Sequence, residues 1–165
     1  MDLETTLSDL AADLLRYCTG ASGDPAAGED LAQEALMALV SHWRRKGPPE
    51  SPRVFVYVVA RRLVWRRQWR SRLFVPWSRM TDGRHPDPGP EVVTGWREEL
   101  NSTLAAVSSL PERERQAILL VMDGNLDVRS AASVLGISRS AFKMRVHRAR
   151  RKLVRRMESS YERER

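Results

Sequence analysis

DVRSAASVLGISRSAFKMRVHRARRKL, residues Asp127 to Leu153, is the stretch that decides the fold of this 165-residue chain. Two short helical patterns meet in it at Leu135-Gly136-Ile137-Ser138. A glycine just past the last apolar residue of a helix is a common stop, because it takes the left-handed backbone conformation without steric cost. Ser138 then stands where its hydroxyl can cap the next helix. Ala131 and Ala132 are small enough to let two helices cross closely, and Val134, Leu135 and Ile137 fill the angle between them. The pattern is a helix-turn-helix.

The second helix carries Phe142, Val146, Ala149 and Leu153 on one inward stripe. At 100° per residue the opposite face holds Ser140, Met144, His147 and Arg151, with Lys143 and Arg148 on its shoulders. From Ser138 to Arg156 there are nine Lys or Arg and no Asp or Glu. A solvated helical hairpin would account for the glycine corner, but not for a basic face without a single acid. Such a face fits the anionic major groove of DNA.

The rest of the chain agrees with an anionic partner. Its formal net charge is +7 and its pI is near 10.4. Charge is segregated: residues 1 to 38 hold eight Asp or Glu against Arg16 alone, whereas Ser51 to Thr81 hold eight Arg and no acid. That asymmetry separates a face for a protein partner from faces for nucleic acid. Cys18 stands alone, so neither an intramolecular disulfide nor a cysteine zinc cluster is expected, which suits a reducing cytoplasm. No apolar run reaches bilayer-spanning length, and the acidic start, with Asp2, Glu4 and Asp9, is unlike a signal peptide.

In chain order, Leu3, Leu7, Leu10, Leu14 and Tyr17 mark a first amphipathic helix ending near Gly20. Asp24-Pro25 opens a second, to about Arg45, with Leu31, Ala35, Ala38, Leu39 and His42 on one stripe. Asp30, Gln33, Glu34 and Met37 are left toward its other side. His42 has no second ligand candidate one turn away and reads as a packed or surface imidazole, not a metal ligand. After the loop KGPPESP a third helix runs from Pro52 to about Arg72, with Val56, Val59, Ala60 and Leu63 facing inward. Arg61, Arg62, Trp65 and Trp69 fall on the other side. Arginine beside exposed tryptophan is the combination that holds single strands, guanidinium groups on phosphates and bases on rings. The alternative for both tryptophans is packing against the segment that follows.

Phe74 to Pro90, FVPWSRMTDGRHPDPGP, has the composition of a linker. Val92, Trp96, Leu100, Leu104 and Val107 then recur at helical spacing, Pro111 takes the first position of the next helix, and Gly124 ends it.

Those strings together resemble the extracytoplasmic-function sigma factors of bacterial RNA polymerase, which keep only regions 2 and 4 of the sigma-70 family. Gly28-Glu29-Asp30-Leu31-Ala32-Gln33-Glu34 is similar to the region 2 signature, and Phe55 to Leu73 to the promoter-melting helix. Leu110 to Arg115, Leu135 to Ser138 and Arg145 to Arg150 are similar to region 4. The resemblance implies an all-α chain of two small helical domains, a region 2 bundle over 1–73 and a region 4 helix-turn-helix over 91–165, joined by a flexible linker over 74–90. It implies a cytoplasmic promoter adapter, not an enzyme, with no catalytic residue, cofactor, metal or small-molecule substrate. Core polymerase, through its β′ coiled coil and β flap, promoter DNA and an anti-sigma factor are the implied partners.

The family's residues carry over by position. Asp30, Gln33, Glu34 and Met37 would dock on core polymerase; Arg61, Arg62, Trp65, Arg66 and Trp69 would hold the melted minus-ten strand. Arg139, Ser140, Lys143, Met144, His147, Arg148 and Arg151 would read the minus-thirty-five duplex. Arg62 and Arg66 stand where the family often has asparagine and aspartate, and Met144 and His147 are uncommon readers, which bears on promoter preference. A stand-alone helix-turn-helix regulator would need a dimerisation or sensor element, which the acidic N-terminal half does not supply. A nucleic-acid enzyme would need clustered carboxylates beside the basic surface, where Ser51 to Thr81 has none.

Overall fold

The computed structural model of the chain describes residues 2–73 and 103–163, which form helices joined by short turns. The expected 74–90 linker, and the 91–102 part of the helical pattern after it, lie outside the described residues.

Three helices make the first unit: α1 (Leu3–Ser22), α2 (Pro25–Lys46) and α3 (Pro52–Leu73). Local chemistry starts them. The Asp2 side chain accepts from the N–H groups of Glu4 and Thr5, and Asp24 accepts from that of Ala26 with Pro25 at the first position. The second unit has α4 (helical over 103–108), α5 (Glu112–Val121), α6 (Val128–Leu135) and α7 (Arg139–Arg163). Asp127 caps α6 through the N–H of Ser130 at 2.7 Å, and Gly136 ends it with φ 64°. Ser138 caps α7 through the N–H of Ala141 at 3.1 Å. Phe142, Val146 and Ala149 are buried and Leu153 is partly buried, as the stripe requires.

Three boundaries differ from the sequence reading. Helix α1 passes through Gly20 and stops at Gly23, with φ 74°. Gly20 is buried against α5, where an added Cβ would run into Leu119 Cδ2; it is a point of close approach, not a stop. Pro111 is the residue before α5, with extended ψ of 142°, so Glu112 is the first helical residue. Helix α5 ends at Val121, and Gly124 lies in the turn beyond. Of the two residues between them, Met122 is exposed and Asp123 is buried.

The two units share one continuous core, running from Leu14, Tyr17 and Ala21 through Tyr57 and Val64 to Leu119, Val134 and Phe142. Helix α1 packs on α5, and α3 packs on α6.

Candidate nucleic-acid interface

Helix α7 presents its basic face to solvent. Arg139, Ser140, Lys143, Met144, His147, Arg148 and Arg151 are all exposed, Met144 at 51 %. Helical periodicity placed all of them except Arg139, which only the resemblance supplied, because one straight helix fixes which residues share a face. Capping by Ser138 and Gly136 fixes the angle at which that face leaves the corner.

The second basic face lies on α3. Trp65 and Trp69, 63 % and 52 % exposed, stack one turn apart with ring centroids at 5.7 Å and planes 22° apart. Arg61, Arg62 and Arg66 are exposed around them. They are not equivalent, however. The Arg61 Nη1 donates to the Val134 carbonyl of α6 at 3.2 Å, tying this face to the helix-turn-helix. Arg66 donates to Glu34 Oε1 at 3.2 Å.

The last contact links two sets that the sequence placed on different surfaces. Asp30, Gln33, Glu34 and Met37 are exposed on α2 as expected, Met37 at 61 %. Yet Asp30 and Glu34 share a cleft of about 780 Å³ with Arg66, Arg67 and Arg70 of α3. Arg67 also stands 3.8 Å from Asp24. The acidic and basic faces meet at a common edge. Both members of the Arg66–Glu34 pair are more than half exposed, so it stabilises the fold by no more than about 1 kcal/mol. His42 packs on Phe55, centroids 4.8 Å apart. Among the described residues no three His, Cys, Asp or Glu are grouped to hold a metal, and no helix is long and apolar enough to cross a membrane.

Sequence reasoning missed the polar contacts between the two units. The Asp123 Oδ2 accepts from the Tyr57 hydroxyl and from Arg53 Nη1, both at 2.6 Å, and Arg53 also reaches Asp13 at 2.9 Å. Burial disfavours the Asp123 carboxylate, but the hydrogen bonds from Tyr57, the Asn125 N–H and Arg53 outweigh it and hold its pKa below the usual value. Burial, and then the Asp123 hydrogen bond, push the Tyr57 phenol above its own. The Tyr17 hydroxyl, edge-on to Tyr57 at 5.1 Å, donates to Gln116 Oε1. Gln68 of α3 bridges the Ala21 carbonyl and Glu112, each at 3.3 Å. No periodic signal marks these residues; Asp123, beside Gly124, reads as an ordinary turn aspartate.

Comparison with known proteins bears on both halves. The family described as Sigma-70 region 2 matches residues 7–72, and that described as Sigma-70, region 4 matches residues 100–153. The chain is 35 % identical over 156 residues to the ECF RNA polymerase sigma factor SigF of Caulobacter vibrioides, covering 90 % of this chain and 79 % of that one. Its fold is similar to the sigma factor RpoE of Bartonella quintana, solved in complex with the anti-sigma factor NepR. The TM-score there is 0.74 and the identity 20 %, over 94 % of this chain and 96 % of the other. It is also similar to CnrH in complex with the cytosolic domain of CnrY, with a TM-score of 0.70 and 18 % identity over 95 % and 88 %. At such identities the two structures speak for the fold.

Proposed function

The chain belongs to the extracytoplasmic-function sigma factors of the sigma-70 family, and from that premise we propose how its surfaces divide the work of promoter recognition. As a member it is an alternative sigma factor that binds core RNA polymerase and directs transcription initiation, a regulatory and not an enzymatic role. In our reading residues 1–73 are the region 2 domain, 74–90 the linker and 91–165 the region 4 domain, and the protein works in the cytoplasm with the polymerase.

The observation that carries the assignment of roles is the exposed, acid-free face of α7. Lys143, Met144, His147 and Arg148, flanked by Arg139, Ser140 and Arg151, enter the minus-thirty-five major groove. An arginine there donates two hydrogen bonds to a guanine edge. The stacked Trp65 and Trp69 take unpaired minus-ten bases on their faces, and Arg61, Arg62 and Arg66 hold the phosphates. Unstacking a base costs a few kcal/mol, which these contacts offset. Asp30, Gln33, Glu34 and Met37 dock on basic residues of the β′ coiled coil, while region 4 meets the β flap.

Reading both elements together requires the two units to part. Their names place them about 25 base pairs apart, on the order of 85 Å at 3.4 Å per pair. A compact body of this length is only about 40 Å across. The 74–90 linker spans up to about 60 Å when extended, and a unit of roughly 70 residues is itself about 30 Å across, which together are enough for the gap. The packed arrangement is therefore a resting form, and because the similar folds were solved with anti-sigma factors, we assign an anti-sigma partner to that form.

Run-off transcription with purified core polymerase tests the reading: the chain should support initiation from its own promoters, and bind the same duplexes weakly by itself. Nanomolar, sequence-specific duplex binding without polymerase would favour a stand-alone regulator instead.

A further inference from the structure

Between the two units lies a cleft of about 270 Å³, lined by Arg61, Arg62 and Trp65 of α3, Glu112, Arg113 and Gln116 of α5, Leu135 of α6 and Arg145 of α7. Four arginines and a single carboxylate line it. That carboxylate is already engaged, since Glu112 accepts from Gln68, Arg115 and Gln116. Among the described residues Arg62, Arg113 and Arg145 make no ion pair. Bringing unneutralised like charges together opposes the packed form, so a multivalent anion entering the cleft would stabilise it.

We propose that this cleft binds a nucleoside polyphosphate, which closes the two units on each other. The chemistry selects that class. Planar guanidinium forks grip phosphate oxygens in pairs, and charges from α3, α5 and α7 need more than one phosphate to satisfy them. Trp65, with Trp69 stacked on it, offers an indole surface for a base. At about 270 Å³ the cleft is just below the usual range for ligand sites, so it would seat the phosphates while the base lies outside it on the exposed Trp65 ring. The site exists only while α3 faces α5, α6 and α7. Its occupant would also cover Arg61, Arg62 and Trp65, and so compete with the minus-ten strand. Only this competition rests on the function proposed above; binding to the free chain does not.

The test is calorimetric titration of the full chain with GTP, with pyrophosphate and with guanosine as separate probes, at physiological salt. Saturable one-to-one binding of GTP is expected, with either fragment at least tenfold weaker. Arg113→Ala and Arg145→Ala should each weaken GTP at least tenfold. Asp123→Asn should do the same by parting the units without substituting any cleft residue, and Arg44→Ala, remote on α2, should match the parent. Circular dichroism checks folding; Arg113 is exposed at the start of α5, so its variant stands if Arg145→Ala fails to fold. Equal affinities for Arg44→Ala and Arg113→Ala, or full affinity in Asp123→Asn once small-angle scattering shows its units parted, would overturn the proposal. So would a GTP affinity no better than that of pyrophosphate. Should GTP bind as expected while Arg62→Ala and Trp65→Ala leave promoter opening intact, the cleft stands and the minus-ten assignment falls.

Discussion

Arg53, in the first turn of α3, holds the carboxylate of Asp123 at 2.6 Å across the boundary between the two units, seventy residues away in the chain. Tyr57, one turn further along α3, donates to the same oxygen. Asp123 stands two residues beyond α5 and is almost wholly buried, so the pair fixes the end of α5 against α3. It is a polar tie between the units beside the apolar core they share.

Replacing Asp123 by Asn removes the charge that Arg53 and Tyr57 face. Because Arg53 retains Asp13 at 2.9 Å and is 18 % exposed, the loss should be about 1–3 kcal/mol, below the full cost of orphaning a buried charge. The variant should show a larger radius of gyration by small-angle scattering, with helix content unchanged. An unaltered scattering profile would mean that the apolar contacts alone hold the units together.

The same pair sets the pH range of closure. The folded pKa of Asp123 lies below its ordinary 3.8, so its stabilisation is complete above that value and is lost as pH falls through the lower folded one. The folded pKa of Tyr57 lies above its ordinary 10.0, so its share is complete below 10 and lost only at higher pH. Closure should thus be flat between about pH 5 and 9 and fall outside that range. Scattering across this window, on the parent and on Asp123→Asn, measures it, and a titration centred near neutrality would contradict the assignment.

The two basic faces should fail differently. Arg148→Ala should cost about 1–3 kcal/mol in promoter affinity if the side chain reads a base edge, and relax preference at one or two minus-thirty-five positions. Trp65→Ala should leave initial binding intact and slow opening, seen as lower permanganate reactivity of unpaired thymines. A pre-melted template should rescue Trp65→Ala but not Arg148→Ala. If both variants respond alike on duplex and bubble templates, the separation of roles between α3 and α7 is wrong.

Charge reversal at Asp30 and Glu34 should weaken capture of core polymerase in a pull-down. Thermal stability should move by no more than about 1 kcal/mol, because both residues are exposed and Glu34 gives up only a surface pair with Arg66. Glu34→Lys also places a like charge beside Arg66, so Glu34→Gln should be run alongside it to separate lost attraction from new repulsion. Unchanged capture in the double reversal would remove the docking face from α2.

Local information was enough for the helix-turn-helix. The signals for Asp127, Gly136 and Ser138 act within four residues of themselves, and periodicity gives the outward face of α7, from Ser140 to Arg151, from its own helix. The outward set on α3 followed the same way, and the tryptophans emerged exposed. What sequence could not reach was which helix each face would meet. The Arg66–Glu34 pair, the Arg61 contact with Val134 and the burial of Asp123 join residues 32, 73 and 66 to 70 positions apart. Such contacts depend on the path of the chain between helices, and no spacing along one helix encodes them. Gly20 makes the same point: glycine near a helix end reads locally as a stop, and only the approach of Leu119 reveals that space, not backbone freedom, is what the position requires. Sequence therefore determined what each helix presents, and tertiary packing decided which of those surfaces remain open, because a face is a property of one helix and an interface of two.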